Sequence, residues 1–147
     1  MEKLNFSVNI DAPKEKVWKV LWDDSSYREW TRVFNEGSHA QTDNWKEGSK
    51  VRFLSADNQD GMFSEVAANR PNEYMSFRHL GIVKNGKDDT ESEEVKQWAG
   101  AMENYTLEEN NGVTSLKVDM DSNDEFKEYF DKTWPQALGK VKSLSEQ

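Results

Sequence analysis

The sequence predicts an α+β fold in which a curved antiparallel sheet of about six or seven strands wraps around one long C-terminal helix, with two short helices after the first strand. Three observations lead to this prediction. The N-terminal segment alternates apolar and polar residues, which is typical of a half-buried strand. Tight-turn signals divide the middle of the chain into short segments. The last segment spaces its apolar residues as one face of a helix does.

The first strand is predicted over residues 3–10, where every second residue is apolar. Pro13 suits the first position of a helix, and apolar residues at helical spacing follow it. Ser26 and Glu29 have the spacing of a capping box, so a second short helix is predicted from Ser26 through Trp30.

The middle of the chain is predicted to be a meander of antiparallel strands. Asp60-Gly61, Asn85-Gly86 and Asn111-Gly112 are tight-hairpin signals, and Arg70-Pro71-Asn72 also turns the chain. Residues 88–94 are predicted to form an acidic loop. The predicted strands are 51–53, 62–68, 74–83, 95–108 and 116–120.

The C-terminal helix is predicted from the spacing of six apolar residues. Ser122 or Asn123 can cap its start. Pro135 lies inside the pattern and removes one backbone hydrogen bond, so a kink is expected there. The residues of the apolar stripe are Phe126, Phe130, Trp134, Ala137, Val141 and Leu144.

Length and composition narrow the functional classes. The 147 residues predict a single domain spanning 1–147. A net charge of −9 disfavours nucleic acids and anionic membranes as partners. The sequence contains no cysteine, which excludes disulfides and thiolate chemistry. Neither a signal peptide nor a membrane span is recognisable, so a cytoplasmic location is expected.

No cofactor and no metal site is predicted. The sequence has two histidines and lacks a Gly-rich phosphate loop, a serine nucleophile elbow and a dinucleotide fingerprint. Asp119, Asp121 and Asn123 imitate the start of a calcium-binding loop. However, Asp124 replaces the required glycine and Phe130 replaces the bidentate glutamate, so helix capping explains these residues better.

A longer motif suggests a family. Residues 10–23 read IDAPKEKVWKVLWD, and Tyr27 and Trp30 follow them. This segment resembles the opening of the START-like superfamily, also called SRPBCC. Residues 61–66 (GMFSEV), the Arg70-Pro71 turn, the strand over 74–79, and Trp134 with Leu138 resemble the branch named after homologues of the activator of heat-shock-protein-90 ATPase.

The resemblance covers essentially the whole chain and implies the helix-grip fold. It also implies three kinds of function. Proteins with this fold bind hydrophobic ligands such as lipids, act as co-chaperone domains, or catalyse cyclisation and related chemistry in their pocket. The 147 residues contain no additional co-chaperone domain, so the resemblance predicts the fold better than any one function.

Aromatic residues are the main candidates for a ligand site, and a plain packed core is the alternative interpretation. Arg78, His79, Glu103 and Tyr105 are the polar candidates, and His79 could pair with Glu103 if neighbouring strands bring them together. The acidic loop is either a solvated segment or a lid over the pocket. The predicted ligand-binding residues are Trp30, Phe53, Phe63, Phe77, His79, Trp98, Tyr105, Phe130 and Trp134.

Three functional hypotheses follow. The first is non-catalytic binding of an apolar or amphipathic small molecule between the sheet and the C-terminal helix. The second is a chaperone-related or other protein-interaction module, in which Glu93 and Glu94 help to attract a basic partner. In either case a monomer or a homodimer is expected. The third is a pocket enzyme that uses His79 or Glu103 on an aromatic or polyketide-like substrate. No catalytic residue is assigned.

Overall fold

A computed structural model describes residues 2–147 as eight strands and four α-helices. The strands are β1 (Glu2–Ile10), β2 (His39–Thr42), β3 (Lys50–Leu54), β4 (Asp60–Arg70), β5 (Tyr74–Lys84), β6 (Lys87–Asp89), β7 (Met102–Asn110) and β8 (Val113–Ser122). The helices are α1 (Lys14–Trp22), α2 (Asp24–Trp30), α3 (Glu93–Lys96) and α4 (Asp124–Ser145), and a single 3-10 turn covers Thr31–Val33.

All strands belong to one antiparallel sheet in the order β1-β8-β7-β5-β4-β3-β2. Strands β6 and β7 both pair with β5, β7 along its first half and β6 along its second. Helix α4 packs against β1, α1 and α2. The hydrophobic core lies between these helices and the inner face of the sheet, and its largest fully buried side chain is Phe77.

The predicted architecture is confirmed, with eight strands in place of about six or seven. The sequence did not reveal β2 and β6. The first is only four residues long and reads HAQT, and the second reads KDD. Neither has the apolar alternation that identifies a strand. Each is held in the sheet by backbone pairing with a longer neighbour, which does not require that pattern.

The predicted strand over 95–108 is wrong in its first half. Helix α3 occupies Glu93–Lys96, and β7 begins only at Met102. Ser92 caps α3, since its Oγ accepts a hydrogen bond from the Val95 backbone N at 3.3 Å. Val95 is fully buried and anchors this short helix. The expected acidic loop over 88–94 therefore splits between the end of β6 and the start of α3.

The hairpin predicted at Asp60-Gly61 is also displaced, because both residues lie inside β4. The turn precedes them, and Asn58 adopts its left-handed conformation at φ 64°. Gly61 is required for another reason. A Cβ atom at this position would lie 2.0 Å from the carbonyl O of Phe53 on β3. The other two hairpins are confirmed, each with positive φ at the asparagine and the glycine, at Asn85-Gly86 and Asn111-Gly112.

Helices α2 and α4 differ in how closely their starts match the prediction. Helix α2 begins at Asp24, so the capping box at Ser26 is wrong; the Ser26 hydroxyl donates to the carbonyl O of Asp23 at 3.2 Å instead. Helix α4 begins after Asn123, as predicted, and runs through Pro135 to Ser145. Its buried face carries Trp134, Ala137, Leu138 and Val141, whereas Phe126 at its start is exposed.

None of the helices in residues 2–147 is long and apolar enough to cross a membrane.

We expect Gly61→Ala to lower the free energy of unfolding by about 1–3 kcal/mol, because β3 and β4 would have to separate to admit the methyl group. Gly139→Ala is the matched control. Gly139 lies inside α4 with open space around it, and alanine there should raise stability by about 0.5–1 kcal/mol. Urea unfolding of both variants measures the two effects. A neutral Gly61→Ala would contradict the close approach of the strands.

Candidate functional site

A cavity of about 570 Å³ lies between the inner face of the sheet, helix α2 and the first half of α4. The chain between α3 and β7 contributes Gln97, Trp98 and Ala101 to its lining. Exposed residues at the start of α4 mark the side on which the cavity meets solvent, since the Phe126 side chain is 46% exposed and Tyr129 is 45% exposed. A volume of this size is in the range of small-molecule sites.

Seven of the nine predicted ligand-binding residues line this one cavity. They come from distant parts of the sequence, because α2, three strands, the chain after α3 and α4 converge on the same space. These residues are Trp30, Phe53, His79, Trp98, Tyr105, Phe130 and Trp134.

Phe63 and Phe77 are the two predicted residues that do not line the cavity. Phe63 is directly opposite Arg52 on the neighbouring strand, and the Arg52 guanidinium lies 5.1 Å from the centre of its ring. Phe77 points inward but is fully buried in the core. Its ring centre lies 5.2 Å from that of Phe53 and 5.5 Å from that of Trp22.

The polar candidate Arg78 also lies outside the cavity. Its Nη1 is 2.6 Å from Oε1 of Glu65 on the neighbouring strand, and its side chain is 47% exposed. Alternation along β5 explains the difference, since Phe77 and His79 face the interior while Arg78 between them faces solvent.

The proposed pairing of His79 with Glu103 is present. His79 Nε2 lies 3.3 Å from Oε1 of Glu103, and the Tyr105 hydroxyl donates to Oε2 of Glu103 at 2.5 Å. Sequence reasoning missed the fourth member, Ser64, whose Oγ is 2.6 Å from His79 Nδ1. The strand register brings these side chains together, because Ser64 pairs with His79 across β4 and β5. The result is a continuous hydrogen-bonded row at the inner end of the cavity.

The row keeps Glu103 ionised. Burial raises the pKa of this carboxyl, but the hydrogen bond and the charge of His79, together with the hydrogen bond from Tyr105, outweigh burial and leave the pKa below its usual 4.5. Burial and the Glu103 carboxylate together raise the pKa of the Tyr105 hydroxyl well above 10. Burial first, and then the same carboxylate, also raise the pKa of Tyr27. The inner end of the cavity therefore holds the Glu103 carboxylate beside two neutral phenols.

Several lining residues were not predicted as ligand-binding residues. Tyr27 lies within the predicted second helix and in the family motif but was not among the predicted ligand-binding residues, and Phe34 follows that helix. Met62 and Ile82 are ordinary strand residues that face each other across β4 and β5. Trp134 adds an unexpected feature. Its indole Nε1 is buried and has no hydrogen-bond partner within residues 2–147, although the side chain is part of the cavity lining.

The acidic residues of the segment 88–94 differ in whether they border the cavity. Asp88 lies away from the cavity, with its Oδ2 2.5 Å from Nη2 of Arg52. Glu94 lies on the cavity lining, whereas Glu93 has a side chain that is 92% exposed. The segment around α3 thus borders the cavity, which matches the position expected of a lid.

Residues 2–147 contain no cluster of three or more potential metal ligands. The calcium-like residues are engaged elsewhere. Asp119 accepts hydrogen bonds from Lys3 and from the Asn104 amide, and Asp121 accepts one from the Met102 backbone N.

Sequence comparison with protein-family models and with curated proteins gives no match. Comparison of the structure with solved structures gives many. The Aha1 dimer from Colwellia psychrerythraea matches with a TM-score of 0.72 at 17% identity, over 99% of this chain and 97% of that one. DynU16, from the dynemicin biosynthetic locus, matches with a TM-score of 0.70 at 17% identity, over 97% of this chain and 46% of that one.

A third similar structure is CalU16 from Micromonospora echinospora, with a TM-score of 0.66 at 17% identity over 97% of this chain and 75% of that one. At these identities the likeness establishes the fold. It agrees with the fold that the resemblance of the sequence implies. The chain therefore has the helix-grip fold.

Proposed function

We propose that the protein binds an apolar or amphipathic small molecule in the cavity between the sheet and α4, without converting it. The observation that carries this proposal is a cavity of about 570 Å³ lined by aromatic side chains and ending in a single polar row. Binding an apolar ligand in a cavity of this kind is favourable, because apolar surface of both the ligand and the lining is removed from water. DynU16, which has a similar fold, comes from a biosynthetic locus, and this supports a small-molecule role.

The geometry also suggests how the ligand is oriented. Its apolar part would pack against Trp30, Phe53 and Phe130, which surround the space. A polar group would face Glu103 at the inner end. A molecule with an aromatic body and one polar group therefore fits the cavity best.

We expect Met62→Trp to abolish binding of Nile red, a neutral apolar dye, because the larger indole would fill the cavity from the β4 side. Phe63→Trp is the matched control. It enlarges the next residue of the same strand, whose side chain contacts Arg52 and does not line the cavity. Fluorescence titration of Nile red should give saturable binding for the wild type and the control. Equal binding by Met62→Trp would place the dye elsewhere.

A protein-interaction module is the second candidate. The observation that favours it is the similarity to a protein whose solution structure is a dimer. Exposed acidic residues on and beside α3, including Glu93 and Glu94, would attract a basic partner. Sedimentation over a range of protein concentrations tests self-association. Charge reversal at Glu93 and Glu94 should slow association with a basic partner, and a rate independent of salt would count against this role.

The geometry gives less support to a pocket enzyme. Both ring nitrogens of His79 are engaged, Nδ1 by Ser64 and Nε2 by Glu103. A general base needs a free nitrogen within reach of the substrate. Ser64 is fully buried and does not line the cavity, so it is not placed to act as a nucleophile. The row is better suited to holding a polar group than to transferring protons.

A further inference from the structure

Apart from two histidines, the ionisable side chains that carry charge in the cavity lining are carboxylates. Among residues 2–147, the lining contains no lysine and no arginine, and its histidines are His39 and His79. The carboxylates are Asp60, Glu94, Glu103, Asp121 and Glu125. We infer that the ligand is a cation, an aromatic or amphipathic amine, whose ammonium group lies among aromatic rings and faces Glu103. This inference rests on the proposed function and specifies the class of ligand.

The aromatic lining favours a cation over a neutral group of the same size. The faces of Trp, Tyr and Phe rings carry partial negative charge and attract ammonium groups, most strongly where water is excluded. Tyr27, Trp30 and Tyr105 are each less than a tenth exposed and belong to the same lining. Carboxylates along a cleft with apolar walls concentrate the negative potential inside it, which also raises the rate at which cations enter.

Glu103 has the hydrogen-bonding capacity to receive an amine. Each oxygen accepts one hydrogen bond within the row, Oε1 from His79 and Oε2 from Tyr105. A carboxylate oxygen can accept a second bond, so an ammonium group can add to the row without displacing a member. The carboxylate also contributes to the raised pKa of Tyr27, which indicates that its negative potential extends to another residue of the lining.

An anionic ligand would be repelled by the carboxylates that attract a cation. A carboxylate at the inner end of the cavity would lie beside Glu103, and the nearest group able to carry positive charge, His79, is already held between Ser64 and Glu103. Placing two carboxylates together without a cation is strongly unfavourable in a site of low dielectric constant. The cavity should therefore reject free fatty acids and aromatic acids.

Three matched compounds test the charge preference: 2-(1-naphthyl)ethylamine, 2-(1-naphthyl)ethanol and 1-naphthylacetate. Calorimetric titration at low salt should show the amine binding about tenfold more tightly than the alcohol, and the acetate binding most weakly. The difference between amine and acetate should narrow as salt is added. An amine that binds no more tightly than the alcohol overturns this inference while leaving the cavity a binding site. Failure of Nile red to bind would instead overturn the proposed function.

Glu103→Gln tests the position of the charge. Glutamine keeps the shape of the side chain and removes its negative charge, so the affinity for the amine should fall about tenfold, with a smaller change for the alcohol. Glu65→Gln is the control, since Glu65 pairs with Arg78 outside the cavity. If Glu103→Gln does not fold, the double variant Glu94→Gln, Glu125→Gln removes lining charge near the mouth and should also weaken amine binding. An unchanged amine affinity in whichever of these variants folds contradicts the inference.

Discussion

Replacing Phe77 with alanine is expected to lower the free energy of unfolding by about 3–5 kcal/mol. Phe77 is 0% exposed, and its ring lies 5.2–6.0 Å, centre to centre, from those of Trp22, Trp45, Phe53 and Tyr105. Alanine would leave a hole that four aromatic rings cannot close without moving their own backbones. Urea unfolding monitored by circular dichroism measures the loss.

The control for this prediction is Phe126→Ala, which removes the same side chain from a position that is 46% exposed. Its effect should stay within about 0.5–1 kcal/mol, because little apolar surface returns to water. Equal effects of the two substitutions would contradict the burial of Phe77 in the core, and with it the distinction between Phe77 and the residues that line the cavity.

Glu103→Leu is expected to destabilise the protein by about 2–4 kcal/mol, because it leaves His79 Nε2 and the Tyr105 hydroxyl without their shared acceptor. Glu103→Gln should recover part of this loss, since its amide oxygen can accept one of the two hydrogen bonds. Thermal unfolding at pH 7 compares the three proteins. A leucine variant as stable as the wild type would show that the row contributes nothing to the fold.

The same carboxylate predicts how stability depends on pH. Its pKa in the folded protein lies below the ordinary value of 4.5, so the folded state binds this proton less tightly than the unfolded state. The stabilisation is therefore complete above about pH 4.5 and is lost as the pH falls through the lower folded value. Between pH 5 and pH 3 the wild type should lose more stability than Glu103→Gln. Parallel losses in the two proteins would contradict the lowered pKa.

Sequence patterns predicted the order of the helices and most strands because their apolar residues repeat with a clear period. The apolar stripe of α4 and the alternation of β1 are examples. Strands β2 and β6 lacked this signal because they are short and polar, and they are held in the sheet by backbone pairing with β3 and β5. The misplaced hairpin at Gly61 has a local cause. Glycine is required at this position because the Phe53 carbonyl approaches closely, and not because the chain turns there.

The types of residue that line the candidate site were predictable from the sequence, but which individual residues face the cavity was not. Aromatic residues pointed to a ring-lined space, yet nothing in the sequence distinguished Phe53, which lines it, from Phe77, which packs beneath it. Which side of a strand faces inward depends on register, and bulges in the pairing of β4 with β5 shift that register twice. Ser64 entered the polar row through this pairing alone, so no sequence pattern could have identified it.

Native mass spectrometry of the protein as purified from cells tests binding in the cavity most directly, with Met62→Trp and Phe63→Trp prepared in parallel. We expect a discrete small-molecule adduct on the wild type and on Phe63→Trp that is lost on denaturation, or that forms when 2-(1-naphthyl)ethylamine is added. The adduct should be absent from Met62→Trp. An adduct on all three proteins would contradict binding in the cavity, and so would its failure to form on any of them.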